Sequence, residues 1–100
     1  MPNPRYQKGV RLERELVKSL KKDGAQFVSR TPGSKTPVDV IALMDGLVSL
    51  YQCKTGKAKP TKKELAYLRW LQWRHVECYV VLKKDGVSDF DIIPVNDYKE

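Results

Sequence analysis

The stretch VDVIALMDGLVSLYQCK, residues 38–54, decides the fold. Two apolar runs flank Asp45-Gly46, a pair suited to a tight hairpin turn. The reading is two antiparallel strands, 38–44 and 47–54. Alternation assigns their faces. Asp39 falls in phase with Ile41 and Leu43, and Gln52 and Lys54 fall in phase with Leu50 and Val48. With the turn centred on 45–46, position 39 pairs near position 52. An acid, an amide and an ammonium therefore meet at the open end of the hairpin, on a face that is otherwise apolar. Burying an unpaired charge is costly, so a purely structural lysine there has no rationale. Anionic partners and an anionic substrate would supply one.

The rest of the chain extends the hairpin in both directions. Residues 8–23 read as a helix, with Val10, Leu12, Leu16, Val17 and Leu20 at helical spacing and Asp23-Gly24 as its stop. AQFVSR (25–30) reads as a strand and TPGSKTP (31–37) as a loop of turn residues. After the hairpin comes a basic loop, GKAKPTKKE. Thr61 with Glu64 three later is a capping-box signature, so a second helix is expected from about 61 to 75. ECYVVLKK (77–84) reads as a fourth strand, turned by Asp85-Gly86 into a fifth near 89–95. The order α-β-β-β-α-β-β implies an α/β fold, a mixed central sheet flanked by helices. One hundred residues suffice for a single domain, 1–100.

Composition narrows the partners. The net charge is +7 with a sequence pI near 9.5, and the positive charge is clustered. Arg5, Lys8, Arg11 and Arg14 crowd the first helix. Lys54, Lys57, Lys59, Lys62 and Lys63 follow one another with no acid among them. Such clustering suits a surface that tracks phosphates, so DNA is the expected partner. No apolar run is long enough to span a bilayer, and MPNPRYQKG lacks a signal-peptide core, so a cytoplasmic protein, or a phage- or virus-encoded one acting inside its host, without a membrane partner is expected. Cys53 and Cys78 are isolated and read as reduced thiols. A lone histidine, His75, argues against a histidine metal site or a Ser/His/Asp triad.

On a helical wheel Glu13 falls within the apolar stripe of the first helix, and Glu15 falls nearly opposite, towards solvent. A core-facing glutamate needs a pair or a metal. A helix packed on the Asp39 face would bring Glu13 to Asp39, Gln52 and Lys54. Two acids and a carbonyl oxygen can hold a hard divalent cation, and an ammonium beside them can stabilise phosphoryl charge. The second helix carries two apolar stripes. Leu65, Leu68 and Leu71 would cover the sheet, while Ala66, Trp70 and Trp73 call for a second surface, expected to be a homodimer interface.

KGVRLERELVKSL, VSRTPGSKTPVDVIA and YQCK, in that order on those elements, resemble the archaeal-type Holliday junction resolvases of the PD-(D/E)XK nuclease superfamily. The resemblance implies a restriction-endonuclease-like core and a metal-dependent endonuclease that resolves four-way junctions by phosphodiester hydrolysis. It implies that Glu13, Asp39, Gln52 and Lys54 are catalytic, Lys54 being the catalytic lysine. It places Mg²⁺, with Mn²⁺ as a substitute, on Glu13, Asp39, Gln52 and Cys53. Arg14 and Arg30 would grip phosphates and Ser34 would touch the substrate backbone, with Lys35, Lys57, Lys59, Lys62 and Lys63 as further DNA contacts. The resemblance also implies a homodimer. Gln52 stands where those resolvases carry glutamate, and the chain lacks the C-terminal extension many of them have. Two alternatives stay open: an Mrr-like nuclease of another specificity, and a DNA-binding module with a decayed site.

Overall fold

The hairpin forms in the expected register. In the computed structural model, which describes residues 4–31 and 35–99, strands β2 (Val40–Met44) and β3 (Leu47–Thr55) pair Val40 with Tyr51 and Met44 with Leu47. Asp45 and Gly46 both take positive φ, 53° and 79°. A two-residue hairpin of this hand needs that conformation at both central positions. The β2 ladder starts at Val40 rather than residue 38, so Asp39 stands just outside it.

Helix α1 spans Pro4–Lys22 and begins earlier than the apolar pattern indicated. A proline suits a helix's first turn, where its missing N–H costs nothing. The helix ends at Gly24 (φ 98°), whose N–H bonds the Lys21 carbonyl while the Ala25 N–H bonds that of Leu20. This double closure uses up Ala25, so strand β1 covers only Phe27–Arg30. Helix α2, Lys62–Leu71, starts with the expected capping box between Thr61 and Glu64. It stops four residues short of the expected end. Gln72 is extended, and His75 takes φ 60° in a turn that bridges Trp73 to Val76. The cause is the sheet. Strand β4 (Val76–Lys83) runs parallel to β3 from the pair Val48–Val76, and the Val48 N–H bonds the His75 carbonyl. Strand β5, Asp91–Pro94, closes the far edge.

The sheet order is β1-β2-β3-β4-β5, with one parallel pair among antiparallel ones. Leu12, Leu16 and Leu20 of α1 pack on Val40, Ala42, Tyr51 and Val81. Leu65 and Leu68 of α2 pack on Val38, Cys78, Val80 and Val95. Each helix therefore covers one sheet face. A buried leucine contributes about 1.5–3 kcal/mol, which anchors both helices against the ends of β2 and β3.

Candidate active site

Asp39 is held by β3 rather than by its own strand. Its N–H donates to the Tyr51 carbonyl at 2.7 Å, and its carboxylate accepts the Cys53 N–H at 2.8 Å. The carboxylate thus stands where the next strand carbonyl would be. Burial pushes its pKa up, to about 6; the Cys53 N–H and Lys54 pull down, while Glu13 and Glu64 push up further. An acid in this position is poised to take a cation.

Opposite Asp39 in the register is Gln52, only 2% exposed. Its Oε1 has no hydrogen-bond partner, the one such buried side-chain atom among the described residues. Leaving a buried acceptor unpaired costs about 1–3 kcal/mol, so it marks a place where something is missing or strain is tolerated for a purpose. Lys54 follows on the same strand face, which α2 covers. Its Nζ lies 3.5 Å from Glu64 Oε1. That oxygen also accepts the Thr61 N–H at 2.9 Å. Burial raises the Glu64 pKa, but the Thr61 hydrogen bonds and Lys54 outweigh it, and the net shift is downward. Glu64 thus stays charged beside the lysine. In the sequence Glu64 signals only a helix cap. The signal for its second role was present, because the third residue of a helix covering the Lys54 face reaches back towards that strand.

Glu13 arrives from the other side. The helix packed on the Asp39–Lys54 face is α2, whereas α1 brings Glu13 round from the opposite face. There Glu13 accepts from Arg30 Nε at 2.9 Å, with a side chain 17% exposed. It is close enough to raise the Asp39 pKa. Glu15 departs from expectation. It is half-buried and accepts from Lys83 Nζ at 2.8 and 3.0 Å, rather than pointing to solvent. The buried stripe of α1 centres on Leu12, Leu16 and Leu20, with Val10 and Val17 at its margin. Centring the wheel on all five turned it too far and moved Glu15 off the flank it occupies.

The thiol of Cys53 is pushed well up, by burial first and then by Asp39 and Glu13, so it stays protonated. As a hard-cation ligand Cys53 has only its carbonyl to offer. Among the described residues no three His, Cys, Asp or Glu side chains converge to hold an ion by themselves. The residues fit a divalent cation in a different way. A dehydrated carboxylate and an orphaned amide oxygen occupy paired positions, both are oxygen donors, and a hard cation of this kind keeps several waters.

Arg14, Lys35, Lys57, Lys59, Lys62 and Lys63 are exposed. Ser34 lies outside the described residues, as does the side chain of Arg5. Trp70 and Trp73 are 75% and 77% exposed. They do not share a helical stripe, because Trp73 stands in the turn beyond α2.

The sequence matches the family described as Archaeal holliday junction resolvase (hjc) over residues 4–99. The chain belongs to that family. Members of the archaeal Holliday junction resolvase family are endodeoxyribonucleases acting on four-way junctions, and their chemistry depends on a divalent metal. Among solved structures, the Hjc Holliday junction resolvase of the hyperthermophilic archaeon Archaeoglobus fulgidus is similar, with a TM-score of 0.70 and 27% identity, over 93% of this chain and 79% of that one. No curated protein matches. The mixed five-stranded sheet with a helix on each face is the restriction-endonuclease-like arrangement expected of a resolvase.

Proposed function

We propose that residues 1–100 act as one nuclease domain that cuts four-way DNA junctions at a site made of Asp39, Gln52 and Lys54, with Glu13 alongside. Asp39 and Gln52 would hold Mg²⁺, or Mn²⁺ in its place, with the Cys53 carbonyl and Glu13 as further oxygen donors. The bound ion supplies a water of lowered pKa and polarises a phosphoryl oxygen. The other work falls to side chains. Lys54 meets the charge that builds on the phosphoryl group. Glu64 holds that ammonium at the strand end before substrate arrives. Arg30, fixed by Glu13, and Arg14 take flanking phosphates, with Ser34 and Lys35 nearby in sequence. Lys57, Lys59, Lys62 and Lys63 carry the DNA backbone past the site. Two copies of the chain, joined through Trp70 and Trp73, would place one site on each of two strands. A resolvase of this kind works where cellular DNA is, inside the cell.

The single observation carrying this reading is the unpartnered Gln52 Oε1 beside a carboxylate with a raised pKa. An amide at this position leaves a ligand without adding charge, so metal affinity should be modest. The test is cleavage of a synthetic four-way junction, a linear duplex and a single strand with Mg²⁺ or Mn²⁺. Cuts confined to the junction support the reading. Equal cutting of duplex points to an Mrr-like specificity, and binding without cutting points to a decayed site.

A further inference from the structure

The outer face of α1 carries Arg11, Arg14, Lys18 and Lys21, at spacings of three, four and three, and no acid lies on that line. All four are exposed, and none makes a side-chain hydrogen bond or ion pair with another described residue. They sit directly opposite the buried Leu12–Leu16–Leu20 stripe. An ordinary solvated helix face mixes signs, because like charges three or four apart weaken a helix. Glu15 flanks the line, four residues after Arg11 and three before Lys18, but its carboxylate is taken by Lys83, so most of the repulsion along the line is left uncompensated. Beside the line, an open groove of about 440 Å³ runs between α1 and β1, lined by Arg14, Lys18, Lys21, Ser29 and Arg30 together with Val17 and Val28. Strand β1 is an edge of the sheet, so no strand among the described residues covers the groove's outer side. Arg30 links the groove to the site through Glu13.

The second basic surface lies elsewhere. Lys57, Lys59, Lys62 and Lys63 lead into α2, which packs on the other face of the sheet. Asp39 and Lys54 stand at the sheet end between the two surfaces.

Resting on the resolvase reading above, we propose that the α1 groove is a phosphate track for a second DNA arm, separate from the arm held by the lysines before α2. Ten residues of helix span about 15 Å, roughly four phosphates along one strand. A straight duplex held on the α2 side does not pass across the opposite sheet face. Two arms diverging at the site do. Selectivity for a branch then comes from occupying both tracks.

The test uses the whole chain in EDTA, so that binding is read without cleavage. Lys18→Gln with Lys21→Gln removes two cations and keeps helix propensity close to that of lysine. Affinity is measured on a four-way junction and a linear duplex across a salt series. The expected result is a loss of about tenfold on the junction at ~100 mM salt, a junction salt slope reduced by about two, and duplex affinity within about twofold of wild type. Lys57→Gln with Lys59→Gln should weaken both DNAs together. An equal loss on junction and duplex from the α1 changes would overturn the proposal, as would no loss on either. The two readings fail differently. Junction cutting by wild type, with the junction preference kept after the α1 changes, sinks only the second track. One that shows no junction preference and cuts no junction with Mg²⁺ sinks the resolvase reading and the track with it.

Discussion

The two ends of the β2–β3 hairpin are made of the same strands and follow opposite rules. At the turn, Asp45 and Gly46 adopt the left-handed conformation their types accept, in solvent, with no buried charge. At the open end a carboxylate is held with its pKa raised to about 6, an amide oxygen has no partner, and an ammonium leans on a glutamate from α2. The first end is locally consistent and the second is not. Strain of that kind persists where function uses it and where the surroundings over-determine it. The turn is part of that determination. A slip of one residue would send Gln52 and Lys54 to the α1 face. The quiet end therefore fixes the register that the reactive end requires.

The largest expected effect separates the ends by activity. Asp39→Ala and Lys54→Ala should each lower junction cleavage by about a thousandfold or more, since the first removes a ligand of the cation and the second the ammonium that meets the charge developing on phosphate. Junction affinity in EDTA should stay within about threefold, because binding rests on the distributed cations. Gly46→Ala should leave cleavage intact. If Asp39→Ala cuts at a rate near wild type, the open end is not the site.

A smaller effect is expected at Glu64. Glutamine can still close the capping box but carries no charge. Glu64→Gln should lower the cleavage rate by about three- to tenfold, as Lys54 loses its anchor. It should also move the acid limb of the pH–rate profile to lower pH, because the Glu64 charge is one of the groups that raise the Asp39 pKa. A limb that does not move would confine Glu64 to capping the helix.

The smallest effects are on stability, and they should have opposite signs at the two ends. The folded-state pKa of Asp39 lies above its ordinary 3.8, so the unfolded chain loses its proton first. The Asp39 contribution to metal-free stability is therefore greatest below about pH 4 and falls away as the pH rises to about 6. Asp39→Asn should accordingly raise the metal-free Tm at about pH 8. After discounting for the solvent Asp39 still meets, the gain is about 1 kcal/mol, or a few degrees. Gly46→Ala should lower Tm by a similar amount. A Cβ there meets nothing within 4 Å, so the cost is confined to a backbone with φ of 79°. A drop in Tm for Asp39→Asn would show that the carboxylate is structural.

Much of this molecule was legible because its rules are local. The Asp45-Gly46 turn fixed the pairing of 39 with 52, the Thr61–Glu64 box fixed the start of α2, and alternation put Gln52 and Lys54 on an inward face. What escaped reading was set at a distance. The early end of α2 depends on where β4 must join β3, which no feature of WRH announces. The partner of Glu15 is Lys83, which lies 68 residues away. Helix α1 approaches from the face opposite α2, so Glu13 reaches the site by another route than the one the wheel suggested. The identity of Gln52 was plain from the start, but its lack of a partner is a property of the packed sheet.

The central claim is that the orphaned Gln52 oxygen and the Asp39 carboxylate share one divalent cation. The most direct measurement is a Mn²⁺ titration of the metal-free protein at about pH 7.5, with free ion read by its paramagnetic signal. Wild type should bind one ion per chain, and Asp39→Ala should bind none at that site. Gln52→Ala should weaken binding by about tenfold, or ~1.4 kcal/mol, while Gln52→Glu should tighten it. A Gln52→Ala protein that melts as a folded domain and binds Mn²⁺ with wild-type affinity would contradict the account.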